Sequence, residues 1–292
     1  MIIVLGASGY VGGEFIRKFE WEGVACLALS RRDCNIYDES ALAAAIKQAG
    51  GTFLINSAGF TGKPNVDACE YQKTECLLGN GVLPGVVAKA CELAGIPWGH
   101  VSSGCIYTGE KADGSGFTEE DPPNFSFRQN NCSFYSGTKA LGEECLADVP
   151  TCYVWRLRIP FNEFDSPRNY LTKVMRYQRL LDARNSLSHL GEFVDACVQC
   201  HTDRVPYGIY NLTNTGSVTT REVVQMLLAA NVTQKSFDFF ESEEEFMAIA
   251  AKTPRSNTVL DNSKALAAGL RLSDVQAAID KALQHWTVAE PA

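Results

Sequence analysis

The stretch Met1-Ile-Ile-Val-Leu-Gly6-Ala-Ser-Gly9-Tyr-Val-Gly12 decides the fold of this 292-residue chain. A short apolar run leads into three glycines, and a segment with helical spacing of apolar residues follows at once. Glycines at such a junction allow a tight turn, close approach of the backbone to a pyrophosphate, and close packing of helix on strand. The helix N-terminus then faces the anion. The pattern predicts a dinucleotide site; a plain glycine-rich turn is the alternative.

Beyond this stretch, short apolar runs alternate with helical segments as far as about residue 160. Such alternation predicts parallel strands in a doubly wound sheet. The candidate strands are 2–5, 24–29, 53–56, 98–102, 152–157 and 208–213. The candidate helices are 10–20, 39–49, 81–94, 134–147, 167–182, 219–230, 241–252 and 262–286. Residues 104–132 are rich in turn-forming residues, which predicts a functional loop.

We therefore expect an α/β chain with two parts. A Rossmann doubly wound parallel sheet occupies residues 1–160, with 192–218 returning to it. A smaller C-terminal substrate-binding lobe occupies 161–191 and 219–292. Substrates favour the interface between two such parts.

Composition narrows the function classes. The net charge of −8 disfavours nucleic acid as a partner. No apolar run approaches the roughly 18 residues of a spanning helix, so no membrane partner is expected. The start of the chain is read as a strand rather than a secretion signal. Eleven cysteines without a framework predict free thiols in a reducing, cytoplasmic setting.

The second candidate strand runs into Ser30-Arg31-Arg32. An acidic residue at this place favours NAD, because it binds the ribose hydroxyls. Two guanidinium groups instead suit a 2′-phosphate, which favours NADPH. Asp33 follows directly and keeps NADH open as an alternative.

Tyr135 and Lys139 stand at i and i+4 of a candidate helix and so share one face. An ammonium beside a phenol should lower the pKa of the phenol and make it a usable proton donor and acceptor. The stretch Val101-Ser-Ser-Gly-Cys-Ile-Tyr107 follows the fourth strand. Its hydroxyls lie where strand ends meet a dinucleotide in this kind of sheet.

Together these segments resemble the extended short-chain dehydrogenase/reductase family, which acts on nucleotide sugars. The resemblance implies that Ser103 is the catalytic hydroxyl, Tyr135 the catalytic acid and Lys139 its partner. The segment Asn56-Ser-Ala-Gly59 resembles the part of the third strand that lines the cofactor.

Further segments resemble the nucleotide-rhamnose synthase/epimerase-reductase group. They are 62–70, 104–107, 167–169 with 172–173, 208–211 and 254–257. Cys105 and Lys173 match that group's epimerisation residues, whereas the related dTDP-4-dehydrorhamnose reductases usually lack this cysteine. One departure is Gly137-Thr138, where Lys or Glu commonly occupies one site. A buried packing thiol at Cys105 and an exposed Lys173 are the alternative interpretations.

The resemblance implies contacts for both ligands. For the cofactor they are Gly6, Ser8, Gly9, Tyr10, Val11, Gly12, Ser30, Arg31, Arg32, Asn35, Ile36, Ser57, Ala58, Gly59, Tyr135 and Lys139. For the substrate they are Lys63, Asn65, Asn80, Ser103, Gly104, Cys105, Arg168, Asn169 and Arg255. No metal site is expected, because Cys197-Val-Gln-Cys-His201 lacks further ligands and its haem-type spacing lies on an amphipathic helix.

The expected activity is NADPH-dependent reduction of the 4-keto group, with 3,5-epimerisation, of a nucleotide 4-keto-6-deoxyglucose to a nucleotide L-rhamnose. Two alternatives stay open: a simple 4-keto reductase and a non-catalytic NADP-binding regulatory subunit. The resemblance also implies a homodimer through helices 81–94 and 134–147.

Overall fold

The computed structural model describes residues 1–288. The strands are β1 (Ile2–Leu5), β2 (Cys26–Leu29), β3 (Phe53–Asn56), β4 (Trp98–Ser103), β5 (Cys152–Leu157), β6 (Pro160–Phe161), β7 (Arg179–Leu180), β8 (Arg184–Asn185), β9 (Ser188–His189), β10 (Gly208–Asn211), β11 (Val218–Thr219) and β12 (Asp238–Phe239). The α-helices are α1 (Tyr10–Glu22), α2 (Glu39–Gln48), α3 (Lys73–Leu77), α4 (Leu83–Ala94), α5 (Phe134–Glu144), α6 (Tyr170–Arg176), α7 (Leu190–Thr202), α8 (Thr220–Ala229), α9 (Glu243–Ile249), α10 (Ser263–Ala267) and α11 (Val275–Gln284). Short 3₁₀ turns span Val66–Glu70 and Gly104–Ile106, and a π turn, Leu78–Val82, joins α3 to α4.

The central sheet has six parallel strands in the order β10-β5-β4-β3-β1-β2. The chain winds outward from β1 in both directions, which confirms the doubly wound Rossmann-like α/β prediction. Such sheets bind ligands beyond the carboxyl ends of the strands, where the winding reverses. Here that point lies between β1 and β3.

Helices cover both faces of the sheet. Along β1, Val4 packs on one face in a cluster that includes Phe15 of α1 and Phe193 of α7. Its neighbours Ile3 and Leu5 pack on the other face, in a cluster with residues of α2 and α4. This alternation follows from the two-residue period of a strand, and both faces are apolar because both are buried.

A separate apolar cluster joins α6, α8 and α11, with Leu171, Val223 and Ile279 as members. Ala265 and Leu270 from the predicted C-terminal lobe pack instead in the cluster that holds α1 and α7. The part of the chain around α10 thus packs with α1 and α7 on one face of the central sheet. The boundaries of the two parts stay a prediction.

Two predicted helices are wrong in extent. The helix predicted over 167–182 ends at Arg176, and Arg179 begins strand β7, which pairs with β12. The Lys235 Nζ donates hydrogen bonds to the carbonyls of Met175 and Tyr177. A side chain thus satisfies carbonyl groups that lack helical partners at this helix end. The region predicted over 262–286 is two helices, α10 and α11, divided after Gly269, whose φ is +83°.

The loop over 104–132 is fastened by a distant segment. Gly109 and Phe117 form isolated β-bridges with Thr258 and Leu260. The Thr258 Oγ1 also donates to the carbonyl of Gly109 at 2.9 Å. The segment at 257–260 therefore holds the loop that separates Ser103 from α5.

Helix α3, the π turn and α4 run on without a break over the 22 residues Lys73–Ala94, and an 18-residue window within them has a mean hydropathy of 1.3. By length and composition alone, this helix is long and apolar enough to cross a membrane. The expectation that no apolar run approaches the length of a spanning helix is therefore wrong. Half of the apolar window is buried inside the protein. Val87, Ala90 and Cys91 pack in the core beneath the sheet, so its contacts are those of a core helix.

Gly99 of β4 offers a test of this packing. A Cβ added at Gly99 would lie 1.9 Å from the buried ring of Trp155. We expect Gly99→Ala to destabilise the fold by about 1–3 kcal/mol, because the ring must move in a close-packed core. The urea midpoint of unfolding measures this. Gly85→Ala is the matched control: its Cβ would meet nothing closer than 3.9 Å. Equal midpoints for the two variants would contradict the prediction.

Candidate functional site

The glycine turn forms the first wall of the site. Gly6 follows β1 with φ of +79°, and the Gly9 N–H donates to its carbonyl at 2.9 Å. A Cβ on Gly12 would lie 2.1 Å from the Gly6 oxygen, so this position requires glycine. Gly9 is the N-cap residue of α1 and provides no side-chain hydrogen bond to the helix. The first N–H groups of α1 therefore lack helical partners and can receive an anion.

The neighbouring loop after β3 lies against this turn. The N–H and hydroxyl of Ser57 both donate to the carbonyl of Leu5. A Cβ on Gly6 would lie 2.6 Å from the Ala58 nitrogen. The structure thus brings Ser57, Ala58 and the exposed Gly59 next to the glycine turn, as a shared cofactor site requires.

Ser30, Arg31 and Arg32 follow β2 and are exposed. The Asp33 carboxylate accepts hydrogen bonds from the N–H and hydroxyl of Ser30, at 2.8 and 2.7 Å. These bonds, aided by the charge of Arg32, hold the pKa of Asp33 below its usual value. Asp33 is thus engaged in its own turn, while both guanidinium groups face solvent.

Two further predicted cofactor residues have internal roles. The Asn35 side chain accepts from the Tyr37 N–H at 3.1 Å. The side chain of Ile36 is buried and packs in the core with Leu29 and Leu42. Any contact of Ile36 with a cofactor would therefore involve its backbone. Ser8 is exposed, and Tyr10 and Val11 are half-buried beside the turn.

Helix α5 carries Tyr135 and Lys139. Its first turn is capped by Ser133, whose Oγ accepts from the Ser136 N–H at 3.1 Å. Lys139 is buried, and its Nζ donates to the carbonyl of Val101 on β4 at 3.0 Å. Burial lowers the pKa of Lys139. The bond to Val101 fixes the helix against the end of the strand that carries Ser103.

Tyr135 behaves differently from the expectation. The Tyr135 residue is half-buried, and it lies near the Ser103 hydroxyl and near Cys105. A hydrogen bond with the Ser103 hydroxyl acts to lower the pKa of Tyr135. Burial is nevertheless the largest influence and raises the pKa of Tyr135 well above its ordinary value. The pKa of Tyr135 is therefore shifted in the direction opposite to the predicted lowering, because desolvation dominates. The phenol stays protonated and can act as a proton donor.

Cys105 lies in the same cluster. It is a free, buried thiol, and its N–H donates to the Ser103 Oγ at 3.3 Å. Burial raises the pKa of the thiol, and the Ser103 hydroxyl and the charge of Arg158 oppose that rise. The structure thus brings together the four residues Ser103, Cys105, Tyr135 and Lys139.

Lys173 lies on α6, in the C-terminal half of the chain, and is half-buried. Burial lowers its pKa, and the charge of Arg168 lowers it further. A lysine with a lowered pKa has a larger neutral fraction, which suits a base. Arg168 in turn donates to the Thr61 Oγ1 at 3.1 Å and to the Gly62 carbonyl at 3.0 Å.

The predicted substrate arginine Arg255 already has a partner. Its two terminal nitrogens donate to the Asp67 carboxylate at 2.7 and 2.8 Å. Asn65 caps the same 3₁₀ turn, with its Oδ1 accepting from the Asp67 N–H at 2.9 Å. Lys63 is exposed beside it. This bidentate pair neutralises the charge of Arg255.

Three other substrate candidates serve the fold. Asn80 exchanges hydrogen bonds with the backbone of Phe60, both at 2.8 Å. Asn169 caps α6 and donates to the carbonyl of Asn162 at 2.8 Å. A Cβ on Gly104 would lie 2.5 Å from the Leu260 Cδ1, so this glycine packs closely against the Leu260 side chain.

Sequence reasoning missed Arg158. This arginine follows β5 and is 5% exposed, and its charge reaches Cys105 and Tyr135. The available signal was an arginine at the carboxyl end of an apolar strand, where functional side chains of such sheets gather.

Known proteins resemble this chain over most of its length. Residues 1–288 match the family described as RmlD substrate binding domain. A bifunctional dTDP-4-dehydrorhamnose 3,5-epimerase/dTDP-4-dehydrorhamnose reductase of Arabidopsis thaliana is 33% identical over 270 residues, or 90% of this chain and 85% of that protein. A trifunctional UDP-glucose 4,6-dehydratase/UDP-4-keto-6-deoxy-D-glucose 3,5-epimerase/UDP-4-keto-L-rhamnose-reductase of the same plant is 33% identical over 267 residues. The chain spans 38% of that relative's length.

Solved structures share the fold. The L780 UDP-rhamnose synthase from Acanthamoeba polyphaga mimivirus has a TM-score of 0.88 at 23% identity, covering 97% of this chain and 98% of that one. A dTDP-4-dehydrorhamnose reductase from Bacillus anthracis in complex with NADP has a TM-score of 0.81 at 17% identity, covering 98% and 97%. The match over residues 1–288, together with the relative that is 33% identical over 90% of the chain, shows that the chain belongs to the RmlD substrate binding domain family.

Proposed function

We propose that this chain is an NADPH-dependent reductase of a nucleotide 4-keto-6-deoxy sugar that also epimerises C3 and C5, giving a nucleotide L-rhamnose. The observation that carries the proposal is the cluster of Ser103, Cys105, Tyr135 and Lys139 at the carboxyl edge of the sheet. Family membership and the names of the relatives support a reductase of rhamnose biosynthesis. The thiol in the cluster supports the added epimerisation.

The glycine turn and the start of α1 would hold the pyrophosphate of the cofactor. Arg31 and Arg32 would bind its 2′-phosphate, since both are exposed at the end of β2. Asp33 is engaged by Ser30, which weakens the case for NADH. A reduced nicotinamide cofactor held by these residues would supply the hydride needed to reduce the C4 carbonyl of the sugar.

The protein's own part in reduction is proton delivery. Tyr135 would donate its phenolic proton to the oxygen at C4, and the raised pKa keeps that proton in place until it is needed. The Ser103 hydroxyl would donate a hydrogen bond to the same oxygen. Lys139 is fixed on Val101 beside them, where its ammonium would stabilise the resulting phenolate.

Epimerisation uses the acidity of the protons at C3 and C5, which flank the C4 carbonyl. A base takes the proton, the electron pair moves to the C4 oxygen, and Tyr135 and Ser103 stabilise that oxygen. Cys105 and Lys173 would remove and return protons on opposite faces. The lowered pKa of Lys173 supports its role as one of the bases.

A reductase without epimerase activity is the second candidate. The observation that favours it is the burial of Cys105, which raises the pKa of the thiol and makes the thiolate scarce. A non-catalytic NADP-binding subunit is disfavoured, since Ser103, Tyr135 and Lys139 are all present. Incubation with UDP- and dTDP-4-keto-6-deoxyglucose plus NADPH, with identification of the sugar product, separates the three.

The proposal also places the protein in the cytoplasm and has it form a homodimer. Helices α4 and α5 are the expected dimer faces, and the side chains of Leu93 on α4 and Cys145 after α5 are exposed.

Tyr135→Phe should lower the rate of reduction about 10²–10⁴-fold, because the proton donor is lost. NADPH binding, followed by its fluorescence, should stay close to that of the unsubstituted protein. Tyr71→Phe is the control, since Tyr71 is 77% exposed. Near-normal turnover in Tyr135→Phe would overturn the catalytic assignment.

Arg31→Ala should weaken NADPH much more than NADH. The loss of a charged hydrogen bond to the 2′-phosphate costs about 1.5–3 kcal/mol, and NADH lacks that phosphate. Titration of both cofactors by calorimetry measures the difference. If the affinities for the two fall equally, Arg31 does not bind the phosphate and Arg32 becomes the candidate.

Cys105→Ser should separate the two reactions. A serine hydroxyl is nearly isosteric but far less acidic than a thiol. Reduction of an already epimerised 4-keto sugar should persist, while deuterium incorporation at C3 or C5 in D₂O should be lost. Lys173→Met should show a similar loss, and the exposed Cys145→Ser should show none. Normal labelling of both carbons by Cys105→Ser, followed by product NMR, would make Cys105 a packing residue.

A further inference from the structure

Arg158 forms hydrogen bonds with side chains and backbone groups of three other residues. Its N–H donates to the Ser188 Oγ at 3.1 Å, and its carbonyl accepts from the Ser188 N–H at 2.8 Å. Its Nη2 donates to the Asn185 side-chain oxygen and to the carbonyl of Ser256. The Nε is buried and has no hydrogen-bond partner within residues 1–288. Both acceptors are neutral, so the positive charge has no counter-ion there.

The contrast with Arg156, two residues earlier, is instructive. Arg156 is equally buried and forms an ion pair with Glu143 at 2.8 Å. Among residues 1–288, no carboxylate lies within ion-pair distance of Arg158. A buried charge without a partner is costly. Burial accordingly lowers the pKa of Arg158 to about 10, and the guanidinium remains positive near neutral pH.

Two of the three acidic groups whose charges act on Arg158 belong to the candidate site. They are the Cys105 thiol and the Tyr135 phenol, and the third group is the Tyr170 phenol of α6. The Arg158 stem packs beside Gly104, where an added Cβ would lie 3.4 Å from its Cδ. The side chain thus lies against the turn that presents Cys105.

Several elements place groups around Cys105. The cations are Arg158 after β5 and Lys139 of α5, and the hydroxyls are those of Ser103 and Ser136. Three weak acids also face it: Tyr135, Cys69 and Cys132. Lys139 is bound to Val101. The charge of Glu143 acts on Lys139, and of the two cations Arg158 has the stronger influence on the Cys105 sulfur.

We propose that Arg158 is a positioning residue that stabilises the thiolate form of Cys105 and orients the Gly104–Cys105 turn. It acts through Cys105 and makes no contact with the sugar. In catalysis it favours the deprotonated sulfur, which takes the proton from C3 or C5 while the electron pair moves to the C4 oxygen. This catalytic consequence rests on the proposed epimerase function, whereas the effect on the thiol does not.

The test is the ionisation of Cys105, followed by thiolate ultraviolet absorbance against pH. Each variant is compared with the same variant carrying Cys105→Ser, so that the difference reports this sulfur alone. Arg158→Met should raise the midpoint by about one to three pH units, because a nearby opposite charge is lost. Arg158→Lys should restore most of the shift. Arg184→Met, an identical change at an exposed arginine of β8, should leave the midpoint unchanged.

A second variant guards against misfolding of Arg158→Met. Asn185→Asp keeps Arg158 and the shape of its partner but places a carboxylate on the guanidinium, which neutralises the charge. It should raise the Cys105 midpoint in the same direction, a result that a purely structural arginine would not produce. If Arg158→Met folds, the proposal is overturned when the Cys105 midpoints of both variants lie within a few tenths of a pH unit of that of the unsubstituted protein. If Arg158→Met does not fold, an unshifted midpoint in Asn185→Asp alone overturns the proposal.

Failure of the epimerase function is separately visible. If the unsubstituted protein incorporates no deuterium at C3 or C5 while the midpoint still shifts in the variants, the proposal for Arg158 holds and the epimerase function fails. If deuterium is incorporated and the midpoint does not move, the epimerase function holds and the proposal for Arg158 fails.

Discussion

The buried ion pair between Arg156 and Glu143 fixes the geometry on which the site depends. Arg156 lies on β5 and Glu143 on α5. The Nε and Nη2 of Arg156 both donate to one carboxylate oxygen of Glu143, at 3.1 and 2.8 Å. The Ser102 hydroxyl on β4 donates to the other oxygen. One carboxylate thus ties a helix to two adjacent strands. Because Tyr135 and Lys139 are on that helix and Ser103 ends one of those strands, their relative positions follow from this contact. Loss of either partner would leave an uncompensated charge in the core, which is far costlier than loss of a surface pair.

Around this fixed centre, burial and charge act in opposite directions. Desolvation raises the pKa values of Tyr135 and Cys105 and lowers those of Lys139 and Lys173. Each shift favours the neutral form, as a medium of low polarity requires. For Tyr135 this suits the proposed role of proton donor, since a donor must keep its proton. For Cys105 the same effect would hinder the proposed role of base, and the proposed influence of Arg158 would offset it.

Much of the sheet could be predicted from local sequence. Strands 2–5, 53–56 and 152–157 are apolar runs bounded by turn residues, and such runs depend little on distant contacts. The pairing of Arg255 with Asp67 joins residues 188 positions apart, so no local pattern could reveal it. The helix over 167–182 was overextended because strand β7 is stabilised by β12, which lies far along the chain. The pKa direction of Tyr135 was missed for the same reason: spacing places Lys139 nearby, whereas burial is set by the whole fold.

The bridges from Gly109 to Thr258 and from Phe117 to Leu260 bear on how the protein matures during synthesis. The Rossmann strands up to β5 can pair as they leave the ribosome, but the Thr258 hydroxyl reaches the Gly109 carbonyl across 149 positions of chain. The loop between Ser103 and Tyr135 therefore stays unfastened until the segment that contains Thr258 and Leu260 has been synthesised. Contacts of such long separation form late, because closing a long loop precedes the gain from the contact. A nascent chain would hold a largely complete sheet with its chemical centre still open, and activity would arise only in the last stage of translation.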